Sequence, residues 1–380
     1  MPIQSRLPDV STSIFAIMSK MAADNSAINL SQGFPDFQVD PVIIDLVHHY
    51  MKAGHNQYAP MPGTPALRNA IADVIHKTYH YNVDPETEIT ISAGATEALY
   101  AAIAAFVHPG DEVIVFDPSY DSYNPAIRLN GGMPIHINLQ YPDFSINWDE
   151  VKSRVTSRTR MIMVNTPHNP SGAVLTAHDL KQLESLAEEH NLIVLSDEVY
   201  ERIIFDAIRH ESVLHYPNLA KRSVAVFSFG KTFHATGWKV GYAVAPKALT
   251  REIRKTHQFI TFSVNTPVQL ALAEYMQTPA HYENLGAFYQ QKRDYFLQGI
   301  KGSSFEPVAC HGSYFQSLSY ATISSKPDRQ MAEELTIKHK VASIPVSVFY
   351  HDKTDNRLLR FCFAKSEQTL DKAVGILKKL

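Results

Sequence analysis

Cysteine is nearly absent from this chain: Cys310 and Cys362 are the only two among 380 residues, and no CxxC pair occurs. That excludes a disulfide framework and a cysteine-built zinc site, and it points to a reducing compartment. Metal-ligand spacing is missing as well, since the eighteen histidines form no HExxH. Charge of one sign is also lacking. The 35 Lys and Arg against 38 Asp and Glu leave a formal net charge of −3, which favours neither nucleic acid nor an anionic membrane. No apolar run approaches the length of a membrane span, and the opening MPIQSRLPDVSTSIF has no apolar core of a secretory signal. A cytoplasmic protein without metal, nucleic-acid or membrane partners is expected. What remains is an ordinary globular composition, 45% hydrophobic and 19% charged, in a chain long enough for two or three domains.

Residues 1–30 read as an arm, with an amphipathic segment near Ile14 to Ala22 and a strand-like Ala27 to Leu30. Helical segments follow at Pro41 to Ala53 and Leu67 to Tyr79, separated by the turn-rich loops SQGFPDF and NQYAPMPG. A regular alternation then begins. Strand-like runs at Glu88–Ser92, Glu112–Phe116, Arg160–Val164, Leu192–Leu195, Ser223–Phe227 and Val240–Val244 are interleaved with helical segments such as Thr96–Phe106 and Leu180–Glu189. That spacing predicts a mostly parallel α/β sheet. Past Thr266 the pattern turns helical, with Val268–Met276 and a single long helix over Tyr282–Ile300. A smaller unit of mixed strands (305–309, 314–318, 342–345, 358–363) and helices then closes the chain. The expected division is an arm over 1–30 that packs with the small domain, a large domain over 31–275 and a small C-terminal domain over 276–380.

Chemically capable residues sit directly after the strands: Asp117, Asn169, Asp197, Ser228 and Lys231. In open α/β sheets ligands bind beyond the carboxyl ends of strands, so these separate stretches are expected to converge on one crevice. The stretch around which the others gather is SFGKTFHATGWKVGY, Ser228 to Tyr242. Lys231 can hold an aldehyde cofactor as an imine if burial or nearby positive charge lowers its pKa, with Ser228 and Lys239 gripping a phosphate. A turn lysine beside a solvated one is the plain alternative. Gly94-Ala95-Thr96 opens a helix, whose free amides suit a phosphate as well as they suit an ordinary helix start. Asp197 in SDEVYE suits a protonated pyridine nitrogen, or else a structural ion pair or helix cap. Tyr200 can donate to a phenolate oxygen, and Asn169 in NTPHNPSG can touch cofactor and substrate together. His168 is the lesser candidate for a base. Tyr120 or Tyr123 can stack on a ring, or simply pack in the core. Arg360 lies in an apolar strand and needs a partner, either a substrate carboxylate or an internal acid, with Arg357 the competitor at the polar edge.

SFGKTFHATGWKVGY, SDEVYE, NTPHNPSG, SQGFPDF, NQYAP and LLRFCF together resemble the class I/II aminotransferases that depend on pyridoxal 5′-phosphate (PLP), in the branch of methionine and kynurenine aminotransferases. The resemblance runs collinearly over nearly the whole chain. It implies PLP-dependent transferase fold type I: an α/β large domain with a mostly parallel sheet flanked by helices, plus a smaller α+β domain. It implies Lys231 as the imine lysine and proton shuttle, Asp197 at the pyridine nitrogen, Tyr200 and Asn169 at the ring hydroxyl and Tyr120 stacked on the ring. Ala95, Thr96, Ser228 and Lys239 would bind the phosphate, with Tyr58 reaching in from the partner of a homodimer. Gly33, Asn169 and Arg360 would hold the substrate carboxylate, and Phe34, Tyr120 and Phe262 would wall the side-chain pocket. One departure is Lys239, where aspartate-type members carry arginine; charge is kept and the bidentate fork is not. The implied reaction moves the amino group of methionine, and of aromatic amino acids, to a 2-oxo acid through pyridoxamine phosphate. A PLP-dependent C–S β-lyase and a non-catalytic protein on the same fold are the alternatives.

Overall fold

The computed structural model describes residues 3–380. Seven strands form the central sheet: β1 (Ile89–Ser92), β2 (Glu112–Asp117), β3 (Met133–Asn138), β4 (Thr159–Asn165), β5 (Ile193–Asp197), β6 (Ser223–Ser228) and β7 (Gly241–Val244). Their spatial order is β1-β7-β6-β5-β4-β2-β3. Only β7 runs against its neighbours β1 and β6, and the other adjacent pairs are parallel. The near-continuous apolar runs follow from burial on both faces. Ile114, Phe116, Ile162, Val164, Val194 and Phe227 fill the core on one face, while Val113, Val115, Met161, Met163, Leu195 and Val226 fill the other. Helix α1 (Ala95–Phe106) lies on the second face, where the small side chains of Ala98, Ala101 and Ala102 let it approach the strands closely.

A second core gathers around a four-stranded antiparallel sheet of β8 (Glu306–Pro307), β9 (Phe315–Ser319), β10 (Ile344–Pro345) and β11 (Leu358–Cys362), in the order β10-β11-β9-β8. Met18 and Leu30 of the N-terminal segment are buried in it, and Ile28–Asn29 pairs in parallel with Val341–Ala342. Tyr275, Met276 and Tyr282 still belong to the core of the large sheet, whereas Leu285 and Tyr289 belong to the second core. Among the described residues no helix is long and apolar enough to cross a membrane.

Two local expectations are corrected, and two elements had not been anticipated. The segment 282–300 is not one helix: Ala280–Glu283 and Leu285–Ile300 are separated at Asn284. The strand expected over 342–345 serves two sheets, Val341–Ala342 beside the arm and Ile344–Pro345 beside β11. The edge strand β3 and the helix Lys247–Ile260 were unforeseen, for a physical reason. Met133, Ile135 and Ile137 of β3 alternate with Pro134, His136 and Asn138, so no continuous apolar run marks it, and the buried residues of 247–260 are Thr250, Ile253 and His257, two of them polar.

Sheet register sets the carboxyl edge. Asn165 lies opposite Asp197, and Gly241 lies between Ser92 and Ser228. A Cβ on Gly241 would stand 2.7 Å from both the Ala95 nitrogen and the Phe227 carbonyl oxygen, and these are backbone atoms that cannot swing aside. Gly241→Ala is therefore expected to lower stability by about 1–3 kcal/mol through overpacking. Chemical denaturation of the parent and the variant checks this, and an unchanged midpoint would show that the start of α1 is not held as described.

Candidate active site

Below the carboxyl edge, between the two cores, lies a cavity of about 290 Å³. Lys231 reaches it from a single helical turn, Phe229–Thr232, that follows β6 directly. Its amine donates to the Tyr314 hydroxyl at 2.7 Å and lies 5.5 Å from the Tyr200 ring centroid. Burial pulls this amine down to about 8, opposed by Cys362 and Asp197 and reinforced by the positive charges of Lys239 and Arg360. The sequence requirement for a usable lysine nucleophile is met by desolvation first and by like charge second.

Asp197 ends β5 and is buried. Tyr123 donates its hydroxyl to one carboxylate oxygen at 2.6 Å, the Val199 amide lies 3.3 Å from the other, and Asn165 donates to the Asp197 carbonyl at 2.9 Å. Burial outweighs these hydrogen bonds and raises the carboxyl to about 6. No cation pairs with it among the described residues, so a ligand N–H⁺ is the missing partner.

Arg360 on β11 is 1% exposed. It donates to Asn169 Oδ1 at 2.6 Å and to the Ser31 carbonyl at 3.1 Å, its Nε has no partner, and its guanidinium lies 3.8 Å from the Phe315 ring centroid. Burial lowers it to about 10, which leaves it charged at neutral pH. No carboxylate of the described residues pairs with it. A buried guanidinium in this state is costly unless an anion arrives.

At the far end of the cavity Gly94 precedes α1 with φ +79 and no side-chain cap, so the first amides of the helix are left for a ligand. A Cβ on Gly94 would stand 3.0 Å from Lys239 Nζ, which places that amine against the helix start. Ser228, Gly230, Thr236, Ala95 and Thr96 complete this cationic, amide-lined cup. The cup, the unpaired carboxylate of Asp197 and the lysine of lowered pKa suit a phosphate, a pyridine nitrogen and an aldehyde. The residues present therefore fit PLP.

The structure brings together Gly33, Phe34, Ala95, Thr96, Tyr120, Asn169, Asp197, Tyr200, Ser228, Lys231, Lys239 and Arg360. It does not bring in Tyr58 or Phe262. Tyr58 is 83% exposed, its ring is 5.4 Å from that of Phe262, and neither lines the cavity within this chain. Asp117, expected at the crevice, instead accepts the His351 amide at 2.7 Å and lies 3.0 Å from His136. His168 bonds Ser171 at 2.7 Å outside the cavity, and burial lowers its imidazole to about 4. Arg357 is exposed and is not in the cavity. Sequence reasoning missed Phe15, Gln32, Thr236, Phe315 and Tyr314. Tyr314 lies in a run that reads as core strand, and nothing in the sequence singles out its hydroxyl.

The family described as Aminotransferase class I and II matches residues 25–377. The chain is 50% identical to the methionine aminotransferase of Escherichia coli (strain K12) over 99% of its own length and 98% of that protein's. It is 35% identical to a probable N-succinyldiaminopimelate aminotransferase of Mycobacterium tuberculosis, again over 99% and 98%. Among solved structures, YbdL from Escherichia coli, identified as having a methionine aminotransferase function, superposes with a TM-score of 0.98 at 49% identity over the whole of both chains. The N-succinyldiaminopimelate aminotransferase of Mycobacterium tuberculosis superposes at 0.96 with 36% identity, again over both whole chains.

The raised carboxyl of Asp197 sets a sign for stability against pH. The folded cofactor-free chain keeps a proton there that the unfolded chain releases between about pH 4 and pH 6. Stability from this group is therefore lost as pH rises through that window, by up to about 3 kcal/mol. Asp197→Asn cannot titrate and lacks the slope. Thermal midpoints of the two proteins from pH 4 to pH 7 should diverge in favour of the variant, and parallel curves would contradict the burial argument.

Proposed function

The chain belongs to the class I and II aminotransferases, and from that premise we propose that it transfers the amino group of methionine and of aromatic amino acids to a 2-oxo acid, with PLP as cofactor. One observation carries the amino-acid reading: Arg360, buried and charged, commits only two of its five N–H groups, to Asn169 and Ser31, leaves Nε without a partner, and has no anion among the described residues. A substrate α-carboxylate is the planar anion that its fork accepts, with Asn169 alongside. The first group beyond that clamp meets aromatic walls, namely Phe15, Phe34, Tyr120 and Phe315. Among the described residues Arg360 is the only arginine lining the cavity, so this chain offers no second guanidinium for a distal carboxylate. A thioether or an aromatic ring suits these walls, through sulfur–ring and ring–ring contact. Aspartate does not.

PLP, when bound, supplies an aldehyde that takes up and returns the amino group and a ring that withdraws electrons from the substrate α-carbon. The residues supply the rest. Lys231 is the covalent attachment point. Its amine of lowered pKa would be the group that accepts the proton at the substrate α-carbon and carries it on during amino-group transfer. Asp197, fixed by Tyr123, would keep a proton on the ring nitrogen, and Tyr200 and Asn169 would serve the ring hydroxyl. Tyr120 would stack on the ring, while Ala95, Thr96, Ser228 and Lys239, which line the same cavity, would hold the phosphate. Gly33 lets its loop pack directly on Phe315 at the edge of the cavity, since a Cβ there would fall 2.5 Å from Phe315 Cζ.

We assign the active form to a homodimer. Tyr58, Phe259, Ile260 and Phe262 leave aromatic and aliphatic surface in water, with Phe259 85% exposed. Burying that surface against a second copy gives Tyr58 a route to the partner's phosphate cup and Phe262 a route to the partner's side-chain pocket. The large domain is taken as 31–275, the small domain as 276–380 and the arm as 1–30. Two free cysteines, both buried, suit a cytoplasmic setting.

Steady-state assays with PLP, a 2-oxo acid acceptor and a panel of amino donors test the substrate reading. Methionine and phenylalanine are expected to exceed aspartate by about 100-fold or more in kcat/KM. Arg360→Gln is expected to lower kcat/KM for methionine by about 100-fold, through loss of a charge-assisted bidentate pair. Aspartate turning over as fast as methionine would remove the proposal, and pyruvate released from cystathionine without a need for an oxo acid would replace it with β-lyase chemistry.

A further inference from the structure

Tyr314 touches the amine on which the site depends, and none of the roles above belongs to it. Its side chain is fully buried. The hydroxyl oxygen accepts from Lys231 Nζ at 2.7 Å, while its hydrogen is donated to the Gly33 carbonyl at 2.5 Å. A phenol has one hydrogen. With that hydrogen committed to Gly33, only a lone pair faces the lysine, and the bond can run only from amine to phenol. The ring is locked by edge contacts with Tyr200 at 5.1 Å and Phe315 at 4.9 Å, and by Tyr289 at 5.8 Å. Burial holds the phenol well above its ordinary pKa of 10, so it stays neutral and carries no proton away.

The Gly33 carbonyl is itself fixed. Its loop is tied to the small domain by Arg360 at Ser31, by Lys365 Nζ at the Phe34 carbonyl (2.8 Å), and by Asp36, which accepts from the Ser366 amide and the Thr369 hydroxyl at 2.5 and 2.7 Å. The segment that forms the substrate side of the cavity therefore aims the tyrosine, and the tyrosine aims the lysine.

We propose that Tyr314 is a positioning residue for amino-group transfer: its one-way hydrogen bond holds the free Lys231 amine in a single direction and couples that direction to the Gly33 loop. This inference rests on the reading of Lys231 as the proton-moving lysine. It assigns no proton transfer to Tyr314 and requires none. A purely structural tyrosine, satisfying the Gly33 carbonyl and filling the core, is the alternative.

Tyr314→Phe keeps the ring and removes the oxygen. Tyr289→Phe is the control, because it removes a buried hydroxyl bonded to His234 at 2.9 Å, on a ring packed against Tyr314, without touching Lys231. The first readout is competitive acetylation of the full chain freed of cofactor, with the label at residue 231 read by mass spectrometry across pH. The buried ammonium loses an acceptor in Tyr314→Phe, so the Lys231 titration should move down by about one unit, while Tyr289→Phe leaves it in place. The second readout is kcat on the PLP-loaded enzyme with methionine, which should fall about tenfold in Tyr314→Phe with KM within about twofold. Both readouts must move together in Tyr314→Phe. An unmoved titration, an unmoved kcat, or equal changes in Tyr289→Phe overturns the inference. Full activity in Lys231→Ala would instead overturn the underlying reading of the lysine, which separates the two failures.

Discussion

Desolvation of charge is the constraint on which the rest depends. Lys231, Asp197 and Arg360 are enclosed between the two cores, and among the described residues none of the three has an oppositely charged partner in contact. Burial is the largest influence on each, lowering the two cations and raising the acid. Each such ion costs several kcal/mol unless a ligand compensates it. An aminotransferase turns that cost into recognition, because one cofactor and one amino acid supply the missing opposite charges together.

The sheet exists to place these groups. Parallel strands buried on both faces end at one edge, and Asn165, Asp197, Ser228 and Lys231, at or just past those ends, line the crevice. Gly241 brings the end of β6 and the start of α1 within van der Waals contact, which sets the anion cup beside the lysine turn. The small domain closes the other side, since Arg360 and Phe315 stand on adjacent antiparallel strands whose loops tie down residues 31–36.

Much of this was legible in the residues. Apolar, β-branched runs of strand length gave all six anticipated large-domain strands to within about two residues at either end, and the polar residues after them marked the crevice. Arg360 announced itself as a charge in an apolar strand. What stayed hidden was whatever lacks periodicity or depends on distant contact. Asp117 follows a strand as Asp197 does, yet His351 and His136, remote in the chain, draw it away. Tyr314 looks like any core tyrosine until Gly33, 281 positions earlier, takes its hydrogen. Tyr58 and Phe262 pack edge-on with each other, their ring centroids 5.4 Å apart, and neither lines the cavity within this chain.

The central claim is that the desolvated amine of Lys231 is where the cofactor is joined. Borohydride reduction of the PLP-loaded protein, followed by proteolysis and mass spectrometry, tests it most directly. The expected result is a single pyridoxyl-bearing peptide spanning Ser228–Lys239, modified at Lys231. Label on another lysine, or an active enzyme in which borohydride fixes nothing at Lys231, would contradict it.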